Sequence, residues 1–573
     1  MQGLYVDGLI IIVYFFGIMW IGLYMGRRED SLKDFALGGR RIPWWAVMAS
    51  IIAAETSAAT FLGAPGEGYD KRSLAYVQLV FGLIIGRYIV GYVFLKPYYT
   101  YKVYTVYDYL GVRFGAWSKG YVSMLFLIMR TLASGTRLFI PSLVMVLAWR
   151  MFTSGGNVAF NQQAVTTVWP YVVAVIVLTI FTCLYTAIGG IKAVIWTDVI
   201  QACLMFGSAL VAVCFLLYQV GGFDAVAQAV PQMTRLEGYF ITGFEPHRIA
   251  EWQAANNVPS MGAWDYIKLI LASDYTVFSA LIGTVLANMA AFGTDQDMVQ
   301  RMLTAETHQK ARRSLITAAF MDLPIAAVFT FIGILLFVYY QQDPTFKPVA
   351  NSDVFGSYIL NVMPVGVRGL VLAGVFATAM GSFSAALNAL ATSATNDWYL
   401  QYVRNRPEHH YVNAARFFTV MFAVLMILVA AGFAYAKVNI PGLRIIPVVL
   451  GIAGFILGPM LGVFLLGMLT RNRGTDMGNL LAVTFGLFAT ISMGGNGNFW
   501  DISWLPKVSF TWFAMIGATV VFVIGVFFRT PDHILAAARR RAEESESGDD
   551  RPHAIRDQTR QALEQLETPD KAS

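Results

Sequence analysis

The sequence has little charge and little cysteine. Only 13% of its 573 residues are charged, whereas 57% are hydrophobic, and a soluble protein would carry about 25% charged residues. Its three cysteines, Cys183, Cys203 and Cys214, lie inside apolar segments without the spacing of a disulfide framework or a metal site. These shortages exclude a soluble globular protein and predict an all-α polytopic membrane protein.

Histidine is also scarce, and none of the six histidines falls within an apolar segment. The sequence therefore offers no buried acid–base or metal centre, which argues against an enzyme. The net charge of +6 lies mostly in loops on one side and in the C-terminal tail, so it does not indicate nucleic-acid binding.

Thirteen stretches are long and apolar enough to cross about 30 Å of hydrocarbon. The first lacks a basic start and a small-residue cleavage site, so we interpret it as a retained helix rather than a signal peptide. The thirteen predicted spans lie near 4–25, 44–65, 73–95, 119–150, 168–188, 192–219, 266–291, 311–340, 366–398, 412–435, 443–469, 476–495 and 508–528.

The basic residues of the short loops predict the orientation. One side is rich in them, and that side is expected to be cytoplasmic. This puts the N-terminus outside and the charged tail, 531–573, inside, where it is expected to be disordered or one exposed helix. The loop 220–265 is expected to be an external, partly ordered lid. The basic residues of the richer side are Arg27, Arg28, Lys33, Arg40, Arg41, Lys96, Lys102, Arg113, Lys119, Lys310, Arg312, Arg313, Arg404, Arg406, Arg471 and Arg473.

The stretch from Ser50 to Gly66 is the most informative. It begins as an apolar helix, takes on polar residues from Glu55 onward, and then meets Pro65 between glycines. A helix interrupted here leaves carbonyls that can bind an ion, and a buried Glu55 indicates a functional site. The alternative is a helix ended by proline whose small residues only pack against a neighbour.

A second polar island lies in the span 366–398. Its hydroxyl-rich patch could complete a cation site with the carbonyls of the interrupted helix, because hard cations take oxygen ligands. The alternative is close helix packing through small residues. The patch consists of Thr378, Gly381, Ser382, Ser384 and Asn388.

Two arginines, Arg130 and Arg137, lie well inside the span 119–150. Seven residues make almost two helical turns, so both side chains share a face. Either arginine could bind a substrate carboxylate. Either could instead pair with Glu55 or a helix C-terminus and stabilise packing alone.

Four motifs follow one another along the chain: TSAATFLGAPGEGY at 56–69, YTAIGGIKAVIWTDVIQ at 185–201, GTDQDMVQRMLTAETHQKARRS at 293–314 and GVFATAMGSFSAALNALATSATNDWY at 374–399. In this order they resemble the sodium:solute symporter family, which includes proline permease and carriers of sialic acid, sugars and monocarboxylates. The resemblance covers roughly residues 1–530. It implies a LeuT-type fold with an inverted repeat of five plus five helices, at 44–219 and 266–469, between an extra N-terminal helix, 4–25, and two extra helices in 476–528.

The resemblance implies a sodium site made by carbonyls of Ala53, Thr56 and Thr378 and the hydroxyl of Ser382. The chain departs from the family at Gly381, where a hydroxyl residue is common. Water, Ser384 or Glu55 could supply the missing oxygen, or sodium could bind more weakly.

Asp198 resembles an acid of a second sodium site, but Gly381 and Ala385 stand where that site has serines. We therefore expect one sodium ion per transport cycle. Asp198 could instead cap a helix or pair with Lys192.

The resemblance also places an arginine of the sialic acid carriers on the helix of Arg130 and Arg137. It does not decide between the two, and we favour Arg137. Ser57, Thr60 and Gln78 match positions that face the solute in that subfamily, with an interhelical hydrogen bond as the alternative for Gln78. Glu55 falls where proline permease has a functionally important aspartate and is a further substrate-binding candidate, whereas Arg87 is expected to be structural. The aromatic gate candidates are Phe61, Tyr275 and Phe278, with packing as the alternative.

Together these features predict a sodium-coupled symporter that imports a small organic solute, such as an organic acid, an amino acid or sialic acid, by alternating access. Two rivals remain: a solute sensor, which the short tail disfavours, and an uncoupled channel or membrane enzyme. The oligomeric state stays open.

Overall fold

The computed structural model describes residues 2–27, 30–154, 167–231, 242–256, 258–274, 276–348, 350–439, 445–495, 502 and 504–545. Over these residues the chain is built from helices, and β-pairing is limited to two isolated bridges, Ile42 with Ala305 and Arg473 with Arg529. The all-α prediction is confirmed.

The N-terminal part contains nine α-helices. Their bounds are α1 Gln2–Met25, α2 Leu32–Leu37, α3 Trp44–Glu55, α4 Ala58–Lys71, α5 Gln78–Val93, α6 Leu95–Thr100, α7 Val106–Arg113, α8 Ala116–Arg137 and α9 Phe139–Ser154.

Fifteen further α-helices follow. Their bounds are α10 Trp169–Val220, α11 Phe223–Ala229, α12 Pro246–Asn256, α13 Ala263–Ala272, α14 Val285–Gly293, α15 Gln296–Leu303, α16 His308–Gln342, α17 Val354–Asn361, α18 Val367–Ser393, α19 Leu400–Tyr402, α20 Glu408–Asn439, α21 Ile445–Leu469, α22 Asp476–Gly495, α23 Phe513–Val526 and α24 Asp532–Ser545.

Nine helices in the described part are long and apolar enough to cross a membrane, or ten when the bent pair α3–α4 is taken as one span. Two shorter apolar helices, Ser279–Gly293 and Phe510–Val526, lie at predicted spans. The count of thirteen stays a prediction, since length and composition alone reach nine or ten.

Helix α10 accounts for part of the difference. Its 52 residues would measure about 78 Å if straight, far more than one bilayer. Gly190 interrupts it with non-helical backbone at φ 51° and ψ −150°, which only glycine adopts readily. A Cβ at Gly190 would also lie 2.6 Å from the carbonyl oxygen of Phe35. The kink separates the two predicted spans 168–188 and 192–219.

Helix α18 lies at the centre of the bundle. It packs against α1, α3, α4, α8, α10 and α20, and nearly all of its residues between Gly369 and Ser393 are buried. Helix α1, in contrast, exposes large apolar side chains such as Leu9, Ile12 and Phe16. In a membrane protein such a face contacts lipid.

Two helices at the starts of the predicted repeats are interrupted. Helices α3 and α4 meet at an angle of 67°. Helix α13 ends at Ala272, Ser273 has extended backbone, and the chain resumes through a π-helical turn, Ser279–Thr284, into α14. This correspondence agrees with an inverted repeat, in which discontinuous helices occupy equivalent places.

Residues 532–545 of the tail form helix α24, which is mostly exposed. Of the two states expected for the tail, disorder or one exposed helix, this part adopts the helix. The loop 220–265 contains the short helices α11 and α12.

Candidate functional site

The helix interruption predicted in the stretch from Ser50 to Gly66 lies at Thr56 and Ser57 rather than at Pro65. Thr56 ends α3 with extended backbone (φ −78°, ψ 102°), and Ser57 caps α4 by accepting a hydrogen bond from the Thr60 backbone N–H. Helix α4 continues through Pro65 to Lys71. The serine cap provides a new helix start, which Pro65 does not.

The break leaves backbone carbonyls free at the end of α3. The Thr56 N–H still donates to the carbonyl of Ile52, at 3.1 Å, but the carbonyls that follow, beginning with Ala53, lie past the last intrahelical hydrogen bond. Ala53 is 2% exposed and Thr56 is 5% exposed. These are buried acceptors of the kind that binds a cation.

On α18, two of the residues assigned to the sodium site lie one turn apart. The Ser382 hydroxyl donates to the carbonyl of Thr378 at 2.9 Å, so the two oxygens are neighbours. The hydroxyl of Ser384 donates instead to the carbonyl of Gly381, at 3.1 Å. Thr378 and Ser384 are both buried.

Helices α3 and α18 come together at Gly381. A Cβ built on Gly381 would lie 3.5 Å from the carbonyl oxygen of Ala53. The free end of α3 therefore faces the residue next to Ser382, and the two polar islands predicted from the sequence adjoin one another.

Asp198 is fully buried and pairs with an arginine that the sequence reasoning did not single out. Its Oδ2 accepts from the Ser50 hydroxyl at 2.6 Å and from Nη2 of Arg301 at 3.2 Å. Lys192, the partner considered from the sequence, lies instead near Asp34, at 3.7 Å. Asp198 thus links α10 to α3 and α15.

Arg130 belongs to the same buried network. Its guanidinium pairs with Asp295, at 3.3 Å, and with Asp297. Asp297 also accepts from Nη1 of Arg301, at 2.8 Å. The positive charge of Arg130 is therefore matched by acids of the GTDQ motif, and neither it nor Arg137 contacts Glu55.

Arg137 has a different environment. In the described part of the chain its side chain has no ion-pair or hydrogen-bond partner. It lines a pocket together with Ser57, Ser134 and Ser382; the other lining residues are Ala58, Ala59, Leu138, Pro141, Ala379 and Phe383. The guanidinium of Arg137 and the hydroxyl of Ser382, which the sequence resemblance assigns to the sodium site, therefore line the same pocket.

Glu55 is held away from this pocket by Arg87, which also pairs with Asp322 at 2.7 Å. The Arg87 guanidinium, fully buried, stacks 4.0 Å from the ring centroid of Phe292. The structural role predicted for Arg87 agrees with this cluster, in which two acids share one arginine.

The remaining solute-facing candidates surround the break. The Ser57 and Thr60 hydroxyls lie 3.4 Å apart, and only Ser57 of the pair lines the pocket. Gln78 is the first residue of α5 and is buried. None of these residues has an assigned ligand, so their roles stay predictions.

The gate candidates are separated. Phe61 is fully buried between Phe329 and Phe355, with ring centroids 5.0 and 5.8 Å away. Phe278 is 36% exposed and contacts Phe244. Tyr275 lies outside the described residues.

The sequence reasoning missed Arg301 and Gln201. Both stand inside quoted motifs, and Gln201 follows Asp198 by three residues, which puts the two side chains on one helix face. That spacing was the available signal. The acceptors of Arg301 lie on other helices and could not be read from a single sequence.

The comparisons with known proteins identify the family of the chain. The model of the sodium:solute symporter family matches residues 35–486. The chain is 26% identical to the sodium/sialic acid symporter SiaT of Proteus mirabilis, over 83% of this chain and 87% of that protein. It is also 26% identical to the sodium/sialic acid symporter NanT of Aliivibrio fischeri, over 89% of this chain and 90% of that one.

The fold has a solved counterpart, the substrate-bound, outward-open state of a Na⁺-coupled sialic acid symporter. That structure is 25% identical, has a TM-score of 0.72, and covers 91% of this chain and 97% of its own. The chain therefore belongs to the sodium:solute symporter family: it is a multi-pass membrane transporter of LeuT-type fold, not an enzyme, and couples sodium to the transport of a small organic solute by alternating access.

Proposed function

We propose that the solute carries a carboxylate and that Arg137 binds it. The observation that carries this proposal is the guanidinium of Arg137 on the pocket wall, which makes no direct ion pair within the described residues, whereas Arg130 pairs directly with Asp295 and Asp297. A guanidinium facing a cavity favours a carboxylate, which it can bind with two parallel hydrogen bonds.

The relatives support the same solute class, because SiaT and NanT are sialic acid symporters and sialic acid is a carboxylate. Ser57, Ser134 and Ser382 on the pocket wall supply hydroxyls that can hydrogen-bond the rest of a polar solute. Organic acids and amino acids remain members of the class. A neutral sugar would leave Arg137 without its partner.

The sodium ion is assigned to carbonyls of Ala53, Thr56 and Thr378 and to the Ser382 hydroxyl. Two contacts support the assignment: Ser382 lies against Thr378, and Ala53 faces Gly381. An ion held there would link the end of α3 to α18. Since Ser382 also lines the solute pocket, sodium would order one of its walls and favour solute binding.

Sodium entry is proposed to come from outside, with the N-terminus outside and the tail in the cytoplasm, as the basic loops predict. The two repeats would then rock to open the site inward. Thiol labelling of single introduced cysteines at Asp30 and Ser545, in a variant without Cys183, Cys203 and Cys214, tests this orientation. Both positions are expected to react only from inside.

Uptake into proteoliposomes tests the solute class. We expect an inward sodium gradient, but not a potassium gradient, to drive accumulation of at least one acid among N-acetylneuraminate, proline and pyruvate. Glucose serves as the neutral control. Sodium-driven accumulation of glucose alone contradicts the carboxylate proposal, and equal uptake with potassium indicates an uncoupled channel.

A further inference from the structure

The gap beside Gly381 is bordered by three oxygen atoms from other helices. A Cβ on Gly381 would lie 2.9 Å from Oε1 of Gln201, 3.4 Å from Oδ1 of Asp198 and 3.5 Å from the carbonyl oxygen of Ala53. They are the three nearest heavy atoms outside its own stretch of helix. The three atoms nearest to the space left by the missing side chain are therefore all oxygens.

Two of these oxygens have no hydrogen-bond donor in the described part of the chain. Gln201 Oε1 and Asp198 Oδ1 are buried and unpartnered, in side chains that are 1% and 0% exposed. The other carboxylate oxygen of Asp198 is already bonded by Ser50 and Arg301. A buried acceptor without a donor is unfavourable, and a cluster of acceptors is more so.

The opposite end of the Gln201 amide explains why its oxygen faces the gap. Nε2 donates to the Tyr14 hydroxyl at 3.3 Å, and that hydroxyl donates onward to the sulfur of Met380. The amide is therefore oriented from behind, by α1, and its carbonyl oxygen is directed toward Gly381.

We propose that Gln201 is a sodium ligand, whose amide oxygen replaces the hydroxyl that residue 381 lacks. The inference rests on the proposed sodium site and extends it from Ala53 across the gap to Gln201 and Asp198. Sodium is a hard cation that takes carbonyl, amide and carboxylate oxygens. Arg301 balances Asp198 on its far side, which keeps the binding reversible.

Gly381 lacks the hydroxyl that is common at this position, and the sequence left Glu55 and Ser384 as possible replacements. Glu55 does not reach the gap, because it pairs with Arg87. Ser384 is not among the three nearest atoms, and its hydroxyl donates to the Gly381 carbonyl. Gln201 supplies the oxygen instead, and the size of Gly381 is what makes room for it.

The test is the sodium concentration that half-saturates thermal stabilisation of the purified full chain, with potassium replacing sodium at constant ionic strength. We expect Gln201→Leu to raise this concentration about tenfold, the effect of losing about 1.4 kcal/mol of binding. Ser208→Ala is the control: it removes a buried hydroxyl on the same helix that donates to Met205, and the half-saturating concentration should not change. Melting in potassium alone reports folding.

Two further variants separate an oxygen ligand from a packing role. Gln201→Glu keeps an acceptor oxygen and should bind sodium at least as well as wild type. In the Gln201→Ala background, Gly381→Ser returns a hydroxyl to the emptied space and should restore binding to within about threefold of wild type. The inference is overturned if Gln201→Glu is as impaired as Gln201→Leu, which would mean that the amide donates to Asp198. It is equally overturned if Gly381→Ser fails to rescue.

Ser382→Ala distinguishes the inference from the proposed site on which it rests. If Ser382→Ala weakens sodium binding and Gln201→Leu does not, only the role of Gln201 falls. If Ser382→Ala leaves the half-saturating sodium concentration unchanged, the proposed sodium site itself is misplaced.

Discussion

Arg130 and Arg137 lie on one helix face and have opposite environments. Arg130 is buried between Asp295 and Asp297, and Arg137 faces a pocket. We expect Arg137→Ala to raise the KM for a carboxylate solute about 10- to 100-fold, since a hydrogen bond to a charged group contributes about 1.5–3 kcal/mol. Uptake kinetics measure the change.

The matched variant is Arg137→Lys, which keeps the charge but loses the planar fork and should recover part of the affinity. The sodium concentration for half-saturation should stay near that of wild type in both variants. An unchanged KM in Arg137→Ala would remove Arg137 from the solute site.

Arg130→Ala should instead destabilise the fold. The substitution removes the direct ion-pair partner of Asp295 and one of the two arginines paired with Asp297, and breaking a buried ion pair costs about 3–5 kcal/mol. Thermal melting in detergent is expected to fall well below that of Arg137→Ala. Wild-type melting together with a raised KM would exchange the roles of the two arginines.

The sequence could identify this face but not assign the roles. The spacing of Arg130 and Arg137 gives a shared face through helix geometry alone. What separates them is the position of Asp295 and Asp297, more than 150 residues along the chain, which no local pattern encodes. The same holds for Arg301 with Asp198, and for Glu55, which is paired with Arg87.

At the scale of helices, α4 packs closely against α16 through two glycines, Gly68 on α4 and Gly333 on α16. A Cβ at Gly333 would lie 1.9 Å from the Pro65 carbonyl oxygen, and one at Gly68 would lie 2.0 Å from that of Thr330. Backbones approach this closely only through small residues. Gly68 belongs to the motif at 56–69, and its contact with Thr330 is a packing contact between helices.

Gly333→Ala should therefore destabilise the protein by about 1–3 kcal/mol or more, because the new methyl group meets backbone rather than a movable side chain. Gly207→Ala is the matched control, since a Cβ there has no atom within 4 Å. Melting temperatures should fall for Gly333→Ala alone. Equal melting of the two variants would contradict the close approach of α4 and α16.

Helix propensity alone does not give the position of the helix break. Pro65 is the stronger helix breaker by propensity, yet the chain bends at Thr56 and Ser57. Proline inside a membrane helix is tolerated when neighbouring helices satisfy the freed groups, and here α16 packs directly on Pro65. The interruption itself was predictable from the sequence, whereas the continuation of α4 through Pro65 was not.

For the whole molecule, composition and the four motifs were enough to predict the fold class and the family. Low charge and recurring apolar stretches predict spanning helices directly. The number of spans was harder, because α10 joins two of them through a kink at Gly190 and the shorter helices fall below the usual length.

The transported charge is a property of the complete cycle. One sodium ion and one monovalent acid carry no net charge, so a membrane potential adds nothing, and a tenfold sodium gradient supports about tenfold accumulation. A zwitterionic solute would leave one net charge, worth about 2.3 kcal/mol at 100 mV. If the uptake panel identifies a monovalent acid such as N-acetylneuraminate as a solute, we therefore expect uptake that is insensitive to a valinomycin-imposed potential.

Stimulation of that uptake by an inside-negative potential would contradict one sodium per cycle. Uptake of proline by the same liposomes provides the comparison. Proline is zwitterionic, so its uptake with sodium should respond to the potential.

The central claim is that sodium and the carboxylate bind at adjoining positions and strengthen each other. Equilibrium binding of the acid selected in the uptake panel, measured at increasing sodium and paired with sodium binding at increasing acid, tests it most directly. Linkage requires that each ligand raise the affinity of the other by the same factor. We predict a factor of at least about five in wild type that is lost in Ser382→Ala; acid binding that is the same in sodium and in potassium would contradict the account.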